Sequence, residues 1–148
     1  MKHMKFIMQM ESKPDDIFAQ LINFYNMPNL LPRQLKKVEI ISKKENQIMT
    51  RETLVFKTIV KNEIVQESTH EIGNNEIKTI ITSGPAKNSI INMKVKQKEN
   101  GSNVEIDIDL KLSLKAKILL PIVKKVYANL LTGILYKIDT LIAEKKSK

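Results

Sequence analysis

Two histidines, a row of alternating carboxylates and one Arg–Glu neighbour pair are the residues of this chain whose types could do chemistry. Glu105, Asp107 and Asp109 alternate, so they share one face of a strand and could form a carboxylate pair or a metal site. The hairpin they belong to sets Lys94 and Lys96 against them, and acids facing lysines read as the solvated outer face of a sheet. No metal is expected there. His3 sits near the amino end without a partner in the pattern. His70 is different, because it alternates with Gln66, Ser68 and Ile72, and a turn at Asn74-Asn75 would bring Ile77 and Thr79 to the same face. A polar stripe on the inner face of an aliphatic sheet is either a satisfied core network or the polar end of a binding cavity. Either Arg51 or Glu52 must also point inward, and the neighbours Thr50, Thr53, Leu54 and Val55 do not fix which. A charge facing an apolar interior is costly unless paired or solvated, so the interior is expected to be incompletely closed. Four scattered glycines cannot make a phosphate-cradling loop, and no catalytic triad or metal cluster is present. No catalytic residue and no cofactor is assigned.

The element that must position these residues is the last stretch, Lys117 to Lys146. Leu119, Val123, Val126, Leu130, Ile134, Ile138 and Leu141 recur every three or four residues. Leu120, Tyr127, Leu131, Leu135 and Ile142 widen the stripe well past the usual core-facing arc of about 100°. A helix this apolar needs a large concave partner. Strands supply it. Met4 to Glu11 reads as a first strand, and Ser12-Lys13-Pro14-Asp15-Asp16 as a helix start, with Pro14 at the first helical position and two acids near the positive end of the dipole. That helix should stop near Asn26, ahead of Pro28 and Pro32. Asn29-Leu30-Leu31 between the prolines predicts one helical turn, either a flap over a pocket or a plug for the core. From Leu35 onward the period is two. Strands are expected around Val38–Ser42, then over Gln47 to about Thr58, Lys61–Ile72, Glu76–Ser83, Asn88–Lys98 and Ser102–Ser113. Asn100-Gly101 is a favoured two-residue hairpin turn. It pairs Glu99 with Ser102, Lys96 with Glu105 and Lys94 with Asp107, and sets Val95, Met93 and Ile91 against Ile106, Ile108 and Leu110.

Length and composition bound the rest. One domain spans residues 1–148, long enough to bury about two-thirds of its unfolded surface. The absence of cysteine excludes disulfides and thiolate chemistry and makes a cytoplasmic location the expectation. No signal peptide is expected, and lysines interrupt the apolar run at 118–123 long before the roughly 20 residues that span a bilayer. The net charge is +9, and from Lys111 onward nine lysines face only Asp139 and Glu144. That excess suggests transient contact with a membrane surface or with ribosomal RNA, or simply a solvated helix face with a lysine tail, Lys145-Lys146-Ser147-Lys148. No DNA partner is expected.

The order strand, helix, short helix, six strands, long helix resembles the START-like, or helix-grip, superfamily. So does the run Ser12-Lys13-Pro14-Asp15-Asp16-Ile17-Phe18 at the first helix. Asn26-Met27-Pro28-Asn29-Leu30-Leu31-Pro32 followed by Val38-Glu39-Ile40-Ile41 is similar to its flap and second strand. Ser83-Gly84-Pro85-Ala86-Lys87-Asn88 and Gly101-Ser102-Asn103-Val104-Glu105-Ile106-Asp107 are similar to the coenzyme Q-binding and ribosome-association-toxin branch, and the chain as a whole resembles most the polyketide cyclase/dehydrase and coenzyme Q-binding branch. The resemblance implies an α+β fold with a seven-stranded curved antiparallel sheet around the long C-terminal helix, two short helices after the first strand, and a hydrophobic cavity between sheet and helix. The expected function is binding or transport of a hydrophobic small molecule, whether a lipid, an isoprenoid quinone or a polyketide-like compound. The cavity is expected to be lined by Met93, Val95, Ile106 and Ile108 of the last hairpin and by Val123, Val126, Tyr127, Leu130 and Ile134 of the helix. His70 would lie at the polar end, and Leu30 and Leu31, with Gly84-Pro85, at the mouth. Alternatives are a cyclase or dehydratase using His70 with Glu52 or Arg51, and a ribosome-associated protein using the C-terminal lysines.

Overall fold

The computed structural model describes residues 2–57, 61–113, 117 and 120–146. The chain opens with strand β1 (Lys2–Met10) and turns into helix α1 (Pro14–Leu21). Lys13 caps that helix in an extended conformation without a side-chain bond, and Asp15 and Asp16 lie in its first turn. The helix stops at Leu21 rather than near Asn26. A 3-10 turn, Phe24–Asn26, and a four-residue helix α2 (Met27–Leu30) carry the chain on until Leu31, ahead of Pro32, leaves the helical region. Six strands follow: β2 (Leu35–Lys44), β3 (Gln47–Lys57), β4 (Lys61–Ile72), β5 (Glu76–Ser83), β6 (Ile90–Lys98) and β7 (Gly101–Leu110). The expected end of the third strand at Thr58 lies outside the described residues. The sheet order is β1-β7-β6-β5-β4-β3-β2, antiparallel at every pairing. Register shifts in β2 and at Glu67–Ser68 break the ladder where the sheet bends.

The second sheet hairpin has the register read from the sequence, with Glu71 opposite Lys78 and Ile72 opposite Ile77. The last hairpin differs by two residues. Its turn is Glu99-Asn100, so Val95 faces Val104, Met93 faces Ile106 and Ile91 faces Ile108. Gly101 is not a turn residue; it begins β7 beneath the end of β1, where a Cβ would lie 2.2 Å from the Met10 carbonyl oxygen. A slip of two keeps every side chain on its own face. The aliphatic residues of the hairpin stay inside, and Lys96 still reaches Glu105 at 2.7 Å outside.

Helix α3 (Leu120–Lys146) lies in the concave face of this sheet. Its inward line is Val123, Tyr127, Leu130, Ile134, Leu135, Ile138 and Ile142, all buried. Val126 and Leu141 are half-buried at the flanks, and Leu119 is outside the described residues. Two devices fix the helix. The Asp139 carboxylate accepts the backbone N–H groups of Glu11 at 3.1 Å and Ser12 at 2.9 Å, tying α3 to the junction of β1 and α1. Gly133 leaves a notch for Leu31, whose Cδ1 would stand 2.9 Å from a Cβ there. Leu31 therefore plugs the helix flank. Among the described residues no helix is long and apolar enough to cross a membrane.

Candidate functional site

The helix does not fill the palm of the sheet. A cavity of about 120 Å³ remains between them, with apolar walls from Leu54, Ile81, Ile91 and Met93 of the strands and from Leu130 and Ile134 of α3. Leu21 at the end of α1, Phe24 in the 3-10 turn and Met27 at the start of α2 line it as well.

One end is polar, and alternation explains why. Thr50, Glu52, Gln66, Ser68, His70 and Thr79 stand on the inner faces of β3, β4 and β5, with Thr50 paired to Ser68, Glu52 to Gln66 and His70 to Thr79. Thr50 and Ser68 donate to the two oxygens of Glu52, at 3.0 and 2.9 Å. His70 Nε2 lies 2.8 Å from Thr50 Oγ1 and 3.6 Å from Glu52 Oε1, and its Nδ1 lies 2.7 Å from Thr79 Oγ1. The Phe24 ring stacks on the imidazole with centroids 4.1 Å apart. Tyr127 reaches down from α3 and donates to Gln66 Oε1 at 2.6 Å. Burial pushes the Tyr127 hydroxyl well above the ordinary tyrosine value; the Glu52 charge adds to this and the Gln66 bond partly opposes it. Arg51, the other member of the undecided pair, faces outward between Glu39 at 3.3 Å and Glu67 at 3.2 Å. The inward charge is the carboxylate.

Five of the residues read from the sequence as lining, His70, Met93, Tyr127, Leu130 and Ile134, border this cavity. Val95, Ile106 and Ile108 do not; they are fully packed in the core, on the part of the sheet where α1 lies against β6 and α3. Val123 is buried one turn beyond Tyr127, and Val126 is half-buried on the helix flank; neither borders the cavity. Leu30 and Leu31 pack against the core from outside, so they too stand off its walls. Sequence reasoning did not assign Leu21, Phe24 or Met27 to the lining; Leu21 and Phe24 have the helical spacing of ordinary core, and Met27 lies in the proline-flanked segment. It left Glu52 undecided because alternation gives a parity only once the register of β3 is known.

On the outer face, His3 pairs with Asp107 and lies 4.0 Å from Asp109. This is the one group among the described residues close enough to share a metal ion, and its side chains are 38–55% exposed. Glu105 is held below the usual carboxylate range by its bond to Lys96, as expected for acids set against lysines.

No family model and no curated protein matches the sequence. The fold does have solved counterparts. A START superfamily protein from Mycobacterium smegmatis superposes with a TM-score of 0.77 at 14% identity, covering 96% of this chain and 97% of its own. The chain has the START-like, helix-grip fold. The Zhui aromatase/cyclase from a Streptomyces species gives a TM-score of 0.80 at 10% identity, covering 95% of each chain. Norcoclaurine synthase from Thalictrum flavum, in complex with dopamine and hydroxybenzaldehyde, gives 0.75 at 17% identity, covering 99% of this chain and 89% of its own. At such identities the START-like likeness extends to architecture and leaves the lining of the cavity to this chain's own residues.

Proposed function

We propose that this protein binds a small hydrophobic molecule in the cavity between sheet and C-terminal helix. The observation that carries the proposal is the cavity itself, with aliphatic walls on two sides and a hydrogen-bonded polar group at one end. That is the composition of a ligand site, where apolar surface supplies affinity and a few polar atoms fix orientation. Two counterparts of the fold, the aromatase/cyclase and norcoclaurine synthase, are enzymes acting on small organic substrates by their names. The volume of about 120 Å³ sets the scale. An apolar cavity of about 150 Å³ admits benzene, whereas drug-sized ligands occupy about 300–1,000 Å³. This conformation therefore takes at most one ring or one short branched chain, and a lipid or a prenylated quinone would need α2 and α3 to part. Titration with toluene followed by NMR should move resonances of Tyr127, Leu130 and Ile91. Ile134→Phe, which fills the cavity from the helix side, should abolish the response while shifting the melting temperature by less than about 8 °C. Toluene binding undiminished by Ile134→Phe would place the ligand elsewhere.

The finding that favours catalysis is the pairing of Glu52 with His70 at 3.6 Å through Thr50, facing the same cavity. Such a pair suits proton transfer in a cyclase- or dehydratase-type reaction. Its test is turnover of a short poly-β-ketone that Glu52→Gln abolishes; unchanged product formation in that variant would retire it. Contact of RNA or an anionic membrane with the lysines is supported by charge alone. Lys125 and Lys137 are exposed on α3, whereas Lys146 pairs with Asp16 at 3.2 Å. Binding to ribosomal RNA that does not weaken steeply with salt would exclude it.

A further inference from the structure

Once the cavity is taken as a binding site, a reading on which this inference rests, the hydrogen bonds of its polar end say what a guest must bring. A hydroxyl has one proton to give and a carboxylate has none. Thr50 gives its proton to Glu52 Oε1, and Ser68 gives its own to Oε2. With that proton committed, Thr50 accepts from His70 Nε2–H, which leaves Nδ1 to receive the proton of Thr79. Tyr127 gives its proton to Gln66 Oε1. Every hydroxyl and imidazole proton here is thus directed at a protein acceptor, and only the Gln66 amide could still offer protons to a guest. Acceptors are in surplus. A carboxylate has about four lone-pair positions, and the hydroxyls occupy one on each oxygen of Glu52. Gln66 stands directly across from Glu52 on the next strand. No lysine or arginine is among the described residues that line the cavity.

We infer that the cavity selects a small apolar molecule carrying a protonated amine, seated on Glu52. An ammonium brings three donors and the opposite charge, so it matches both carboxylate oxygens at once. An alcohol brings one donor and no charge. A ketone, a quinone or a carboxylate would find only the Gln66 amide to donate to it and would face acceptors elsewhere, and the last would add like charge beside Glu52. The whole chain, at +9, repels a cation. A preference for the amine would therefore come from the site and not from the general field. The competing occupant of Glu52 is a protonated His70, which at 3.6 Å would serve as an internal counter-ion.

The test compares benzylamine, benzyl alcohol, benzoate and toluene by NMR titration of the intact chain and of Glu52→Gln, near pH 7 and ~0.15 M salt. Benzylamine is expected to bind at least about tenfold more tightly than toluene or benzyl alcohol, and benzoate not to bind. In Glu52→Gln the amine should fall to the level of the alcohol while toluene binds as before, which also shows that the variant is folded. Toluene, alcohol or benzoate binding as tightly as benzylamine would overturn the amine preference and leave the cavity as a ligand site. That is also the result if His70 already neutralises Glu52. Binding of none of the four would remove both readings.

Discussion

At the scale of residues, four of the seven buried polar side chains among the described residues gather at one end of the cavity, while Ser12, Ser89 and Ser102 lie apart from it. Thr50, Gln66, Ser68 and His70 are buried, and the Glu52 side chain is 12% exposed; Thr50, Ser68 and His70 form a network with Glu52 and Thr79, and Gln66 bonds to Tyr127. Tyr127 is the link to the helix. Tyr127→Phe removes the proton that Gln66 Oε1 receives and should cost about 1–3 kcal/mol at neutral pH, measured by urea unfolding. The same residue gives a pH signature. Its folded pKa is raised above the unfolded value near 10, so its contribution is complete below about pH 10 and is lost as pH rises towards the folded value. Alkaline destabilisation between about pH 9 and 11 should accordingly be shallower in Tyr127→Phe than in the natural chain, and equal slopes would contradict the burial of this hydroxyl. The inward face of His70 was visible in the sequence, because a polar stripe at alternate positions of one strand needs no tertiary information. The bonds that complete it were not, since Glu52, Thr50 and Thr79 come from neighbouring strands whose registers are set by turns and bulges.

At the scale of elements, the strands β4 and β5 were legible because the Gly73-Asn74-Asn75 turn and Gly84-Pro85 bound them, and the long helix because its apolar period runs for several turns. The last hairpin shows where such reasoning stops. Asn100-Gly101 has the composition of a turn, yet the positive backbone angle falls on Glu99, φ 52°, and Gly101 serves a close crossing with β1. A contact between the first strand and the seventh leaves no local trace. Gly101→Ala would force a Cβ against the Met10 carbonyl, a backbone atom that cannot swing aside. It should destabilise the protein by about 1–3 kcal/mol. Were Gly101 only a flexible turn residue, alanine would change the unfolding midpoint little. The walls of the cavity divide in the same way. Helical spacing correctly marked Tyr127, Leu130 and Ile134 as inward, but it could not say that α1 lies against β6 and packs the region of Val95, Ile106 and Ile108 solid.

At the scale of the whole molecule, architecture and charge point to different partners. The START-like scaffold holds a cavity with apolar walls, whereas the chain carries a net charge of +9. The one acid that lines the cavity among the described residues, Glu52, sits in its polar end and already receives the protons of Thr50 and Ser68. About two of its lone-pair positions remain for a guest that brings donors. The claim on which everything else depends is that sheet and helix enclose usable space. A crystal pressurised with xenon tests it most directly, because xenon enters apolar cavities without needing the right head group. The account predicts a xenon site between Ile91, Met93, Leu130 and Ile134. Electron density showing these four side chains in mutual contact, with xenon absent from the space beneath α3, would contradict it.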